Sequence, residues 1–260
     1  MEIVITEGAD EIGGLVAGAI ARVLVARPDP TLGVATGSSP LPVYRELIDR
    51  HRRGEISFAS ATAFLLDEYV GLAPGHPQSY RRFIETELAD HVDLPPDRLH
   101  GPDTGRADLL EACRDYERLI RAAGGIDLQL LGIGSDAHIG FNEPTSSLAS
   151  RTRLKTLTPT TRADNARFFG PDEEVPLHVI TQGLGVILEA GHLVLVAMGV
   201  HKAEAVAAAV EGPLTAMCPA SVLQLHPHAT VVLDPDAAGR LRLADYYRQT
   251  YEHKPAWQVI

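Results

Sequence analysis

The sequence holds only two cysteines, Cys113 and Cys218, and they form neither a C-x-x-C pair nor a metal-ligand spacing. A disulfide framework is excluded, and a reducing compartment fits. No stretch reaches the roughly 18 apolar residues that a membrane span needs. Residues 1–6 carry no basic region and no long apolar run, so no secretory signal is expected. Positive charge is also scarce. Lysines plus arginines number 23 against 34 acids, for a net charge of -11, and lysine occurs only at Lys155, Lys202 and Lys254. Binding to nucleic acid or to an anionic membrane surface is therefore disfavoured. An anionic small ligand would need a local cluster of cations and backbone N–H groups. The expected location is cytoplasmic.

What is present is an ordinary globular composition: 260 residues, 45% hydrophobic and 22% charged. That is enough to bury a sizeable core. Short apolar runs at residues 3–6, 31–36, 61–66, 126–133, 192–198 and 230–233 read as strands, several of them buried on both faces. Amphipathic stretches at 9–26, 40–53, 79–91, 108–123, 182–189, 202–210 and 237–251 read as helices. This alternation predicts an α/β chain. The expected architecture is a single-domain (1–260), open, mostly parallel, Rossmann-like sheet with helices on both faces. Residues 143–170 fit least well. They are polar, rich in Ser, Thr and Arg, and interrupted by Pro144 and Pro159. A mobile lid over about 144–185 is expected there, with a plain surface loop as the alternative.

Ligands of such sheets bind at the carboxyl ends of the strands, and four of these ends carry unusual residues. Thr36-Gly37-Ser38-Ser39-Pro40 follows a strand and opens a helix. Its glycine, hydroxyls and helix N-terminus could cradle a phosphate, although an ordinary serine N-cap fits equally. At Leu66-Asp67-Glu68-Tyr69 two adjacent acids end an apolar strand. Adjacent strand residues face opposite ways, so the two should not share a job. One suits a general base, and a solvated strand end is the plainer alternative.

The third is Gly132-Ile133-Gly134-Ser135-Asp136-Ala137-His138-Ile139-Gly140-Phe141-Asn142-Glu143-Pro144. It matches G-x-G-x-x-G/A in form, but it lies mid-chain, and Pro144 follows too soon for a full helix, so a dinucleotide site is rejected. An acid, a histidine two residues on and a second acid five beyond suit proton transfer at neutral pH. A capped turn with a structural histidine is the alternative. In the fourth, Gly199-Val200-His201-Lys202, the lysine stands near a helix start, where a cation is unfavourable unless it meets an anion. No G-x-S-x-G elbow is present. His226-Pro227-His228 lacks further ligands at suitable spacing, and no metal is expected.

Taken together, the strings LDEYVGL (66–72), HPQSY (76–80), IGFNEPTSSLASRTRLKTLT (139–158), ARFF (166–169) and LQLHPHA (223–229) resemble the glucosamine-6-phosphate deaminase (isomerase) family. The resemblance runs from about residue 36 to 233. It implies conversion of glucosamine 6-phosphate and water to fructose 6-phosphate and ammonia, in amino-sugar catabolism, with no organic or metal cofactor. It implies that Asp67 moves the C2 proton to C1, and that His138 opens the sugar ring with Asp136 and Glu143 supporting it. Gly37, Ser38, Arg167 and Lys202 match the family's phosphate-binding positions. Ser146, Arg153 and Lys155 match the effector-phosphate positions of members activated by N-acetylglucosamine 6-phosphate, some of which are hexamers while others lack that control. One departure stands out: the family often has glycine where this chain has Ala137. If that backbone sits at positive φ, alanine strains it.

Two rivals are separable. 6-Phosphogluconolactonases also carry an acid–glycine–histidine segment, but the FNEP and DEYVGL strings favour the deaminase. A noncatalytic sugar-phosphate sensor would bring a basic DNA-binding segment, and none is read in this acidic chain.

Overall fold

All six apolar runs form strands. The computed structural model describes residues 1–170, 173–255 and 257–260. In chain order the strands are β1 (Glu2–Ile5), β2 (Thr31–Val34), β3 (Thr62–Leu65), β4 (Asp67–Tyr69), β5 (Leu99–His100), β6 (Leu128–Leu131), β7 (Arg153–Thr156), β8 (His178–Thr181), β9 (His192–Ala197) and β10 (Ala229–Leu233). The helices are α1 (Ala9–Ala26), α2 (Leu41–Arg52), α3 (Tyr80–Glu87), α4 (Leu109–Ala122), α5 (Pro159–Asn165), α6 (Leu184–Ile187), α7 (Ala203–Glu211) and α8 (Ala244–Glu252).

Seven strands form the main sheet in the order β1-β10-β9-β6-β2-β3-β5, and every pairing is parallel. Each residue of β2, β6, β9 and β10 is buried. Alternate strand residues face opposite ways, so both faces of the sheet are covered. Helices α1 and α2 contribute Ile12, Val16, Ile20, Val43, Tyr44 and Leu47 to that cover. From β2 the chain works outward through β3 and β5, then returns to β6 on the other side of β2 and continues through β9 and β10. The β2/β6 boundary is thus the switch point, and a crevice opens outside its carboxyl ends. Tyr44 fixes the end of β2: its hydroxyl accepts from Ala35 N (3.0 Å) and donates to Ala35 O (2.6 Å).

A second, antiparallel sheet of order β4-β8-β7 was not expected. One residue, Leu66, separates β3 from β4, and its carbonyl accepts from Gln182 N at 2.8 Å. The chain turns there off the main sheet and sends Asp67 out beyond its carboxyl edge. The 144–185 stretch, expected as an irregular lid, accordingly holds β7, α5 and β8, while residues 171 and 172 lie outside the described residues. Helix α5 has a legible start, since the Thr158 side chain accepts from Thr161 N and Pro159 stands in the first turn. Helix α8 is shorter than expected. Residues 237–243 form turns held in part by Asp234, whose carboxylate accepts from Ala237 N at 2.7 Å. No helix among the described residues is long and apolar enough to cross a membrane.

Candidate active site

The four segments singled out in the sequence leave the carboxyl ends of β9, β6, β2 and β3, which are consecutive neighbours in the sheet. They therefore line one edge in a row, across the switch point.

Asp67 opens β4 and pairs in register with Thr181 of β8. The turn of residues 139–142 closes on the same place. Phe141 N donates to Thr181 Oγ1 at 3.1 Å. The Asn142 amide donates to Ile139 O (2.9 Å) and Gln182 O (2.8 Å). Gly140 is required for this approach: it has a φ of 56°, and a Cβ there would lie 2.9 Å from Thr181 Oγ1 and 3.4 Å from Asp67 Oδ2. Asp67 and the Asp136–Glu143 segment, far apart in sequence, thus face each other across one glycine. Thr181, Asn142 and Gln182 hold the arrangement. Only Asn142 fell within a segment singled out for chemistry.

Asp67 is buried, and among the described residues its carboxylate makes no hydrogen bond. Burial first, and the neighbouring Glu68 charge second, push it well above the usual carboxylate range. Glu68 has other surroundings, as adjacent strand residues should. Its oxygens accept from Tyr69 N, Tyr80 N and Arg81 N, each at 2.9 Å, which ties β4 to the first turn of α3. Burial raises Glu68 too, against those three donors.

His138 Nδ1 lies 2.5 Å from Asp136 Oδ1, which also accepts from His138 N at 3.2 Å. Burial pulls Asp136 upward, but the hydrogen bond and the charge of His138 outweigh it and leave the carboxyl below its ordinary value. Asp136 therefore stays ionised and holds the ring. Gly134 is the second required glycine, because a Cβ there would fall 2.2 Å from His138 Cε1 and 2.3 Å from Nδ1.

Of the two acids named with His138, Asp136 lies against its ring and Glu143 lies elsewhere. Buried Glu143 forms no ion pair with His138 among the described residues; it accepts from Thr158 Oγ1 (3.1 Å) and more closely from Thr161 Oγ1. Two intervening structural features explain this. Gly140 turns the chain, and Asn142 is anchored to Gln182, so Glu143 is delivered to the start of α5.

Ala137 is buried with a φ of 64°, the left-handed conformation that glycine adopts freely. Its N–H donates to Gly134 O (3.0 Å) and its carbonyl accepts from Ala220 N (2.9 Å), so the strained turn is held from both sides. Relief of about 1–2 kcal/mol of left-handed strain, less about 0.5–1 kcal/mol of glycine entropy, favours glycine. Ala137→Gly is expected to raise the melting temperature by roughly 2 °C. A thermal melt checks this, and a lower value would mean the turn is unstrained.

Gly37 (φ 93°) and Ser38 are exposed just before α2. Lys202 ends a short 3-10 turn and is the N-cap residue of α7, near a helix start as expected. That turn begins at Gly199, whose N–H is held by both Asp234 oxygens at 3.0 and 2.9 Å. Arg167 lies in a 3-10 turn directly after α5. Arg153 of β7 donates to Asn142 Oδ1 (2.9 Å) and to Ser146 Oγ (3.1 Å), with Lys155 two residues along on the same strand. Arg153 is thus hydrogen-bonded to the turn of residues 139–142 through Asn142.

The family model of glucosamine-6-phosphate isomerases/6-phosphogluconolactonase matches residues 6–232. The chain belongs to that family. Its relatives include a glucosamine-6-phosphate deaminase of Arthrobacter sp. (strain FB24), 60% identical over 260 residues and covering 100% of both chains. The glucosamine-6-phosphate deaminase of Mycolicibacterium smegmatis is 59% identical over 261 residues, again covering 100% of each. A solved monomeric glucosamine-6-phosphate deaminase superposes with a TM-score of 0.89 at 39% identity, covering 92% of this chain and 100% of that one. A 6-phosphogluconolactonase from Trypanosoma cruzi shares the fold, with a TM-score of 0.74 at 19% identity over 93% of this chain and 97% of its own.

Proposed function

We propose that this protein is a glucosamine-6-phosphate deaminase, converting glucosamine 6-phosphate and water to fructose 6-phosphate and ammonia. The observation that carries this is the buried Asp67 carboxylate, without a hydrogen bond among the described residues, set against the Asp136–His138 pair across Gly140. Isomerisation needs an open chain first. His138, held by ionised Asp136, takes the proton of the anomeric hydroxyl and returns it to the ring oxygen as the ring bond breaks. Asp67 then takes the proton from C2 and delivers it to C1, while a proton of the C2 ammonium passes to the C1 oxygen. The double bond moves from C1=O to C2=N and leaves a protonated imine at C2 beside a C1 hydroxymethyl group. Water adds there and ammonia departs. A desolvated carboxylate is a stronger base than one in water, which suits removal of a carbon proton.

Gly37, Ser38, Arg167 and Lys202 bind the phosphate, and this distant grip orients the reacting carbons. Glu143, joined to Thr158 and Thr161, supports the catalytic turn from the lid side. The reaction needs no metal or organic cofactor. Ser146, Arg153 and Lys155 form the site for N-acetylglucosamine 6-phosphate as effector, supported by the Arg153–Asn142 hydrogen bond into the catalytic turn. Activation at subsaturating substrate is expected; a hyperbolic substrate curve unmoved by the effector would contradict it. The protein acts in the cytoplasm as one domain, and mass measurement decides between monomer and hexamer.

The test is product analysis. With glucosamine 6-phosphate, ammonia and fructose 6-phosphate should appear in equal amounts. Hydrolysis of 6-phosphogluconolactone without ammonia release would reverse the assignment.

A further inference from the structure

Arg167 is carried by the segment that follows β7; the Phe169 ring of that segment stacks on His76, and two further contacts meet on one side chain of β4. Asn165 Nδ2 donates to the Tyr69 hydroxyl at 2.9 Å. The Phe169 ring meets Tyr69 edge-on, with centroids 5.7 Å apart. These two contacts flank Arg167 by two residues on either side. From the protein body, the Tyr80 hydroxyl donates to that of Tyr69 at 3.3 Å, and the two rings lie 4.9 Å apart. Phe141 of the catalytic turn packs against Tyr69 at 5.8 Å. Tyr69 is 2% exposed. It stands two residues after Asp67, so its side chain leaves the same face of β4 as the base.

We propose that Tyr69 is a positioning residue that docks the segment around residues 165–169 onto β4 and so sets where Arg167 stands relative to Asp67. The inference rests on the reading of Arg167 as a phosphate ligand. Two features make Tyr69 suited to the task. Its ring touches both the segment of residues 165–169 and the protein body, so docking aligns the two. Burial pushes its phenol up to about 12, so the hydroxyl stays neutral and hydrogen-bonding at any working pH. A ring alone would stick without register; the Asn165 hydrogen bond adds direction.

Tyr69→Phe keeps the ring and removes the hydroxyl. It is expected to raise KM for glucosamine 6-phosphate about tenfold, on the order of one or two net hydrogen bonds, while kcat changes less than about threefold. Asn165→Ala should reproduce the effect. In an Arg167→Ala background, Tyr69→Phe should add little, because nothing is left to position. Amide hydrogen exchange of residues 161–170 should quicken in Tyr69→Phe while β6 and β9 stay protected. If Arg167→Ala raises KM and Tyr69→Phe raises it by the same further factor in both backgrounds, the positioning role is wrong. A Tyr69→Phe loss confined to kcat, with exchange unchanged, also overturns it and assigns Tyr69 to the chemistry around Asp67. An unchanged KM in Arg167→Ala alone overturns the phosphate reading, and the inference with it.

Discussion

Asp67→Asn is expected to lose turnover by roughly 10²–10⁴-fold and yet to melt at a higher temperature than the parent at neutral pH. The two outcomes have one cause. Asp67 is buried without a hydrogen bond among the described residues, and burial and Glu68 hold its folded pKa above the usual value. For a group raised on folding, the favourable contribution is complete below the unfolded pKa. It is lost as pH rises through the folded pKa. Above the unfolded pKa the wild-type protein therefore carries a cost of burying this carboxyl group that the unfolded chain does not. Asparagine has the same shape and no charge. The gap in melting temperature should shrink as pH falls below the ordinary carboxylate range, where the wild-type side chain is protonated in both states. Melts at two pH values, beside steady-state ammonia release, check both halves. Near-normal turnover would remove Asp67 from the role of base. A variant less stable than wild type at neutral pH would mean that the carboxylate is satisfied rather than strained.

Gly134→Ala is expected to cost about as much activity as His138→Gln, again roughly 10²–10⁴-fold. The added methyl would fall 2.2 Å from His138 Cε1 and 2.6 Å from Nε2, far inside contact distance. The ring has to leave its position against Asp136, and the overpacking itself costs about 1–3 kcal/mol. Because both changes strike one group, the double variant Gly134→Ala/His138→Gln should be little worse than His138→Gln alone. Additive losses would show that Gly134 matters for another reason. Wild-type turnover in Gly134→Ala would show that the observed ring position is not the working one.

The parts of the fold that were legible are those with a single dominant force. Leu128–Leu131 and His192–Ala197 are buried on both faces, so apolar content alone marks them as strands. β4 is three residues long, two of them acids, and is a strand only because β8 pairs with it. β7 reads Arg-Leu-Lys-Thr and alternates half-buried with exposed positions, which is how an edge strand hides its pattern. The second sheet was therefore invisible until the pairing was seen.

The site divides in the same way. Asp136 and His138 are two residues apart, so their contact is local and spacing suffices. The strain at Ala137 follows from one backbone angle in the same turn. Asp67 meeting Gly140 depends on the register of Asp67 with Thr181, a nonlocal fact that no spacing encodes. Glu143 was named with His138 on the family resemblance, and Gly140 and Asn142 turn it toward Thr161.

The most direct test follows the hydrogen at C2. Glucosamine 6-phosphate deuterated at C2 is incubated with wild-type protein and with Asp67→Asn, and C1 of the fructose 6-phosphate and C2 of the remaining substrate are examined by NMR. With wild-type protein, deuterium should leave C2, with part of it reappearing at C1; with Asp67→Asn it should stay at C2 while substrate still binds. Loss of the C2 deuterium at the wild-type rate in Asp67→Asn would contradict the account.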